Sequence, residues 1–330
     1  MGMRAVVVES FGEPKDVLGV AERAVPEPGP GQVRIATVLS PIHNHDLAIV
    51  RGVYGYRPEL PYVPGTEAVG VVDALGAGVS DVEVGQRVSV AGVQGAWAQY
   101  FLASAAALVP VPDSVGDETA AQLLSMPFSA LLLLEDMAVE RGQWIVVNAA
   151  NGAVGRLLNV LAERRGVRVV NLVRSAESAR ALRDSGAAVV VDTGSADWRA
   201  RVAAATGGEP IVRAVDQVGG AAAGELLGLL GERGELISFG ALSGEPMVLN
   251  PGPMIFKQAV VKGFWASRRG EEIGPEARGR LYGELFNLAA GGVLRLEVEA
   301  RYPLARAGAA AVATEQSGRN AKVVLDPRAE

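Results

Sequence analysis

From Trp144 to Phe239 the chain alternates continuously apolar, β-branched runs with stretches of helical period. The apolar runs cover 144–150, 167–173, 188–192, 211–216 and 234–239, and they lack the polar alternation of a strand with one wet face. A strand that is apolar on both faces must be covered on both, and helices between successive strands supply the cover. The pattern predicts an α/β domain with a doubly wound parallel sheet and helices over 154–165, 176–185, 197–206 and 221–230. A further helix is expected over 118–139, a charged one over 274–290, and a last β segment over 296–302.

The first third reads differently. Short β-branched runs at 5–8, 33–38, 68–72 and 87–90 are separated by the turn clusters 26–31 and 75–80, with one helical stretch at 46–51. This predicts a compact, mainly β domain. The 330 residues exceed what one core usually supports, so two domains are expected. The absence of cysteine excludes disulfides, thiolate metal ligands and cysteine nucleophiles. A net charge of −6 without a basic stripe leaves nucleic acid no electrostatic footing. The most apolar stretch, 123–134, is interrupted by Pro127 and is too short to span a bilayer. No nucleic-acid or membrane partner is expected, and the protein reads as soluble and cytoplasmic.

Chemistry enters at the turn after the run 144–150. Asn151, Gly152, Ala153, Val154 and Gly155 join that strand to a helix. Glycines there let the backbone approach a pyrophosphate, whose charge faces the helix N-terminus. The next strand decides between dinucleotides. An NAD site carries an acid at that edge for the ribose hydroxyls, whereas here the edge reads Arg174-Ser175. A guanidinium makes charge-assisted bonds to a 2′-phosphate, the serine adds a donor, and Arg180 lies further along the helix. NADPH is the expected cofactor. Phe239 and Gly240, ending a later strand, fall where the nicotinamide end is expected, and Phe264 and Trp265 offer either a flat apolar surface to nicotinamide or substrate or simply core.

The motifs Pro64-Gly65-Thr66-Glu67-Ala68-Val69-Gly70, Val84-Gly85-Gln86-Arg87-Val88 and Gly95-Ala96-Trp97-Ala98-Gln99-Tyr100 resemble the medium-chain dehydrogenase/reductase superfamily. The resemblance spans essentially the whole chain in order. It implies a GroES-like catalytic domain (1–117), a Rossmann domain (118–266), a C-terminal return to the first (267–330) and a homodimer. Zinc members of that superfamily bind catalytic zinc through Cys, His and Cys beside a Glu. In this sequence His43, Thr66 and Met126 stand at those three positions and only Glu67 keeps its type. No zinc is expected.

Within the zinc-free branches, the segment Gly52-Val53-Tyr54-Gly55-Tyr56-Arg57-Pro58-Glu59-Leu60-Pro61 resembles the one that carries the catalytic tyrosine of mitochondrial-type trans-2-enoyl thioester reductases. The cofactor turn 148–155, the run 171–174 and the segments around Lys257 and Lys262 are similar to that family as well. By this match Tyr54 supplies the proton, or holds the enolate, after hydride reaches the β-carbon. Tyr56 and Trp265 are expected beside the substrate, and Lys322 among the cofactor contacts. His43 and His45, as imidazoles with an ordinary pKa of about 6.5, stand as alternative proton donors; the family typically has Asn and Ser at their positions. Two other functions stay open: an NADPH:quinone reductase, which needs the same cofactor site but no placed proton donor, and a zeta-crystallin-like NADPH-binding protein.

Overall fold

The computed structural model describes residues 2–316 and 321–330. The chain divides into two compact units, 1–128 together with 282–330, and 129–281.

The second unit is the expected α/β domain. Its strands are β8 (Trp144–Val147), β9 (Arg168–Val173), β10 (Val189–Asp192), β11 (Ile211–Asp216), β12 (Leu230–Ser238) and β13 (Val260–Gly263), and β1 to β7 precede them in the first unit. They form one sheet in the order β10-β9-β8-β11-β12-β13, every adjacent pair parallel. Counted within the unit this is 3-2-1-4-5-6, the doubly wound Rossmann order, whose direction of winding reverses between β8 and β11. Trp144, Val146, Val170, Leu172, Ala214 and Leu236 form a continuous buried layer with Leu226 and Leu227 of the helix Gly220–Leu229.

Gly155 is where sequence and packing meet most tightly. A Cβ on it would lie 2.5–2.7 Å from the backbone of Ala150, so only glycine lets the helix Ala153–Arg164 close against the end of β8. A reciprocal amide pair, Asn159 with Asn171 at 2.6 and 2.7 Å, then pins that helix to β9.

In the first unit β1 (Gly2–Val8) and β2 (Leu18–Ala24) form an antiparallel hairpin. Strands β3 (Gln32–Pro41), β4 (Glu67–Leu75), β5 (Arg87–Ala91), β6 (Tyr100–Ser104) and β7 (Val109–Pro110) share a sheet with β14 (Val298–Tyr302) and β15 (Lys322–Leu325). The C-terminal return is thus a strand addition: β15 pairs antiparallel with the end of β3, Val324 facing Pro41. The Ile42 N–H continues that ladder to the Val323 carbonyl at 3.1 Å.

Two expectations change. The single helix over 118–139 is two, Asp117–Ala120 and Met126–Met137. The N–H groups of Leu124 and Ser125 leave the helical ladder for the Glu67 carboxylate, and Pro127 lies in the first turn of the new helix, where a missing N–H costs nothing. The strand expected over 144–150 ends at Val147, and Ala149 turns the chain with φ 45°. Gly155→Ala should lower the unfolding free energy by about 1–3 kcal/mol, since the clash is with backbone. Gly152→Ala, whose Cβ would sit 3.1 Å from the Ala149 carbonyl, should cost less. Urea midpoints of the two variants check the order.

Candidate active site

The expected site residues fall into two groups, one on each unit. On the second unit, Gly152 is the N-cap of the helix Ala153–Arg164 and no side chain caps it, which leaves the first-turn N–H groups to face an anion. The Arg156 Nε donates to the Asn151 carbonyl at 2.9 Å and so fixes the turn from inside the helix. Arg174 follows β9 directly, is exposed, and makes no salt bridge among the described residues. Ser175 is already employed: its hydroxyl caps the helix Ala176–Asp184 by accepting the Ser178 N–H at 3.2 Å.

Behind the turn lies a buried polar knot that the sequence reading missed. Asn148 Nδ2 donates to Asp216 Oδ1 at 2.5 Å, the Gln217 N–H donates to Asn148 Oδ1 at 2.7 Å, and Gln217 Nε2 donates to the Asn148 carbonyl at 2.7 Å. Asp216 also accepts the N–H groups of Val218 and Gly219, and so shapes the loop after β11. An acid at the end of β11, directly followed by Gln217, was the available signal. Gly240 packs against the Gln217 backbone, where a Cβ would meet the carbonyl at 2.9 Å. At the ends of β12 and β13 the rings of Phe239 and Phe264 stack at 6.0 Å. Phe264 is buried, whereas Trp265 is 47% exposed, so of the two only Trp265 offers a large open face.

On the first unit the structure brings His43, His45, Tyr54 and Tyr56 into one aromatic row. The His43 and His45 rings stack at 4.9 Å, His45 and Tyr54 lie 5.9 Å apart, and Tyr54 and Tyr56 meet edge to face at 5.6 Å. His43 caps the helix Asn44–Arg51, whose first turn contains His45 and Asp46. That helix ends at Gly52 in the left-handed region, φ 73°, and the chain turns out toward Tyr54. Arg57 Nε donates to the Gly52 carbonyl at 2.6 Å and its guanidinium lies over the Phe11 ring, closing the base of the tyrosine loop.

The two histidines, alike in sequence, occupy different environments. His43 is fully buried and its Nε2 shares a 2.7 Å hydrogen bond with Glu67 Oε2. The other Glu67 oxygen accepts the N–H groups of Leu124 and Ser125 at 2.7 and 2.8 Å. His45 is partly open, and its Nε2 is 2.7 Å from the Thr66 hydroxyl, which in turn donates to Asp46 Oδ1 at 2.7 Å. Lys322 stands at the start of β15, 3.5 Å from the Ile42 carbonyl, and its charge acts on both histidines and Glu67. The structure therefore joins Lys322 to the histidine cluster of the first unit. Thr66 and Asp46 are the members the sequence reading did not assign a role. The signal for Asp46 was its place three residues after His43, where it accepts the His43 N–H at 2.9 Å as a helix cap.

Burial, with smaller effects from the Lys322 charge and His45, holds the His43 imidazole well below its ordinary value. Burial lowers His45 too, against the pull of Asp46. Burial pushes Glu67 well above the usual carboxylate range, opposed by its two backbone donors and Lys322. Both histidine Nε2 atoms are thus engaged with Glu67 and Thr66, and these side chains do not fit a metal: among the described residues no three His, Asp or Glu side chains are grouped to hold one.

Comparison with known proteins agrees with this architecture. Residues 29–113 match the alcohol dehydrogenase GroES-like domain family, and residues 153–277 match the family described as zinc-binding dehydrogenase. The mitochondrial enoyl-[acyl-carrier-protein] reductase of Homo sapiens is 30% identical, over 92% of this chain and 83% of its own. The chain belongs to the medium-chain dehydrogenase/reductase superfamily. Among solved members, a putative NADPH:quinone reductase from Bacillus thuringiensis is similar with a TM-score of 0.92 at 30% identity, covering 99% of each chain. The Escherichia coli quinone oxidoreductase, solved as a complex with NADPH, has a TM-score of 0.89 at 27% identity, covering 98% of this chain and 100% of its own. As a medium-chain reductase the protein is an oxidoreductase, and among its described residues no helix is long and apolar enough to cross a membrane.

The buried pair predicts how stability depends on pH. An imidazole whose value is depressed by folding binds its proton more readily when unfolded, so acidification below about 6.5 favours unfolding. A carboxyl whose value is raised by folding has the opposite sign, since the folded chain takes the proton first. Glu67→Gln keeps the hydrogen-bonding shape and removes the opposing group. Between about pH 7.5 and about pH 5.5 its urea midpoint should fall further than that of the wild type. An equal or smaller fall contradicts the assignment.

Proposed function

We propose that this medium-chain reductase uses NADPH to reduce an activated carbon–carbon double bond, in a 2-enoyl thioester or a related enone. The observation that carries the reading is the placement of Tyr54. Its loop is turned by Gly52, pinned by Arg57 and packed against the His45 ring. Reduction of a polarised alkene needs a proton donor held at a fixed place for the α-carbon, and a phenol so held meets that need. The naming of the human relative as an enoyl reductase supports the same choice.

The cofactor half fits NADPH. Gly155 keeps the turn flush with the sheet, the uncapped helix turns its N–H groups to a pyrophosphate, and β9 ends in Val173 and is followed by Arg174 rather than by an acid. When bound, NADPH supplies a hydride from the nicotinamide ring. The remaining work falls to the chain. Arg174 holds the 2′-phosphate by charge-assisted hydrogen bonds. Tyr54 gives its proton to the α-carbon, or holds the enolate oxygen while water does so. A hydrogen-bond donor at that oxygen stabilises the charge that develops there.

A second reading, NADPH:quinone reductase, is favoured by the solved structures, which resemble this chain over nearly its whole length. It uses the same cofactor half and leaves Tyr54 without a task.

NADPH oxidation with crotonyl-CoA, a longer 2-enoyl-CoA and a benzoquinone separates the two. Tyr54→Phe should lower kcat on the enoyl substrates about 100-fold, at the lower end of what a placed general acid contributes. Quinone turnover that is fast and indifferent to Tyr54→Phe, without enoyl turnover, supports the second reading. Arg174→Ala should raise the KM for NADPH about tenfold and leave that for NADH nearly unchanged, as expected for the loss of a charged hydrogen bond.

A further inference from the structure

The mechanism above leaves Tyr54 as a phenolate after each proton it gives away, and the structure holds a chain of groups suited to restoring it. The Thr66 hydroxyl has one proton, which it donates to Asp46 Oδ1 at 2.7 Å. Its lone pair must therefore accept from His45 Nε2, also at 2.7 Å. That fixes the resting imidazole as the Nε2–H tautomer and leaves Nδ1 a bare lone pair. The second Asp46 oxygen is committed to the His43 N–H, so the carboxylate cannot rotate away. Asp46 and Thr66 line a small cleft of this unit together with Tyr56, Tyr62 and Gln94. Tyr56 and Gln94 are exposed at the cleft, while Asp46 is 1% exposed within it. The Tyr54 ring packs on His45, the last member of the chain.

We propose that Asp46, Thr66 and His45 form a proton relay that returns a proton to Tyr54 between turnovers, an inference that rests on the reading of Tyr54 as the donor. During turnover the Tyr54 O–H bond breaks as the α-carbon C–H bond forms. Recovery begins when a water proton adds to the bare His45 Nδ1 while the Nε2 proton moves to the Thr66 oxygen and the Thr66 proton moves to Asp46. The Nδ1 proton then goes to the Tyr54 oxygen, Asp46 returns its proton to Thr66, and Thr66 returns one to His45 Nε2. One proton moves from water to Tyr54 and no electrons move. The end state is the observed arrangement, with an ionised Asp46, Thr66 donating to it and His45 protonated at Nε2. His43 takes no part, because its Nε2 is held by Glu67 in a fully buried position.

The test compares the first turnover with the steady state in the full-length enzyme loaded with NADPH, with crotonyl-CoA as substrate. Thr66→Val removes the hydroxyl, Thr66→Ser keeps it, and Thr66→Ala repeats the loss with a smaller side chain if valine disturbs folding. In Thr66→Val the first turnover should run near the wild-type rate, giving a burst of one NADPH per site. The steady rate should then fall about tenfold or more, within the range lost when a proton-transfer group is removed. Thr66→Ser should abolish the burst and restore the steady rate. If Thr66→Val turns over like the wild type, or slows its first and later turnovers equally, the relay is wrong and Thr66 is structural. If Tyr54→Phe completes its first turnover at the wild-type rate, the donor reading itself fails, a result no Thr66 variant can produce. A wild-type enzyme that turns over no 2-enoyl thioester overturns both.

Discussion

The first unit of this molecule is organised around one buried carboxylate. Glu67 has no exposed surface, and burying such a group costs several kcal/mol unless its oxygens are filled. They are filled by the His43 ring and by the N–H groups of Leu124 and Ser125. Those partners come from the exit of β3 and from the segment ahead of the helix Met126–Met137, while Glu67 itself opens β4. Three stretches of chain are thereby tied at one point. The cap that begins the helix Asn44–Arg51 is set by this tie, and with it the directions taken by His45 and Asp46.

The tie also separates two histidines that differ by only two positions. His43, at the cap, is fully buried and meets Glu67; His45, in the first helical turn, is partly open and meets Thr66. A strand-like alternation would have put both on one side, and a helix alone would have put them some 200° apart. The change from extended backbone to helix between them gives the observed result: rings stacked, partners opposite. One histidine is fully buried against a carboxylate and the other is partly open beside a hydroxyl.

How much of this was legible depends on the range of the cause. The sheet from β8 to β12 could be read because its signal is local, strands apolar on both faces with helices between them. The charged helix Gly274–Ala290 was legible over its full span for the same reason. The break between Asp117–Ala120 and Met126–Met137 was not, because what interrupts the helix is Glu67, 57 residues away in sequence from Leu124. Strands β2 and β13 were not read from the sequence; both lie at sheet edges and carry the charged residues Glu22, Arg23 and Lys262 that such positions favour. In the candidate site, Tyr54 was found through a family resemblance and the glycine turn through its own geometry. The Thr66 link to His45 spans 21 residues and follows from strand pairing, which no spacing rule exposes.

The return of β15 to the end of β3 has a bearing on how the protein comes into being. Residues 129–281 form a unit of uninterrupted sequence, whereas the other unit needs 282–330 to complete its sheet beside Ile42 and to deliver Lys322. A ribosome working from the N-terminus therefore releases everything required for the Rossmann fold before the last strand of the first unit's sheet exists. During that interval the exposed flank of β3 is an unpaired strand edge, the kind of surface on which nascent chains associate wrongly. Assembly of the cluster around His43 and Glu67 is consequently a late event, timed by translation as much as by the strength of its contacts.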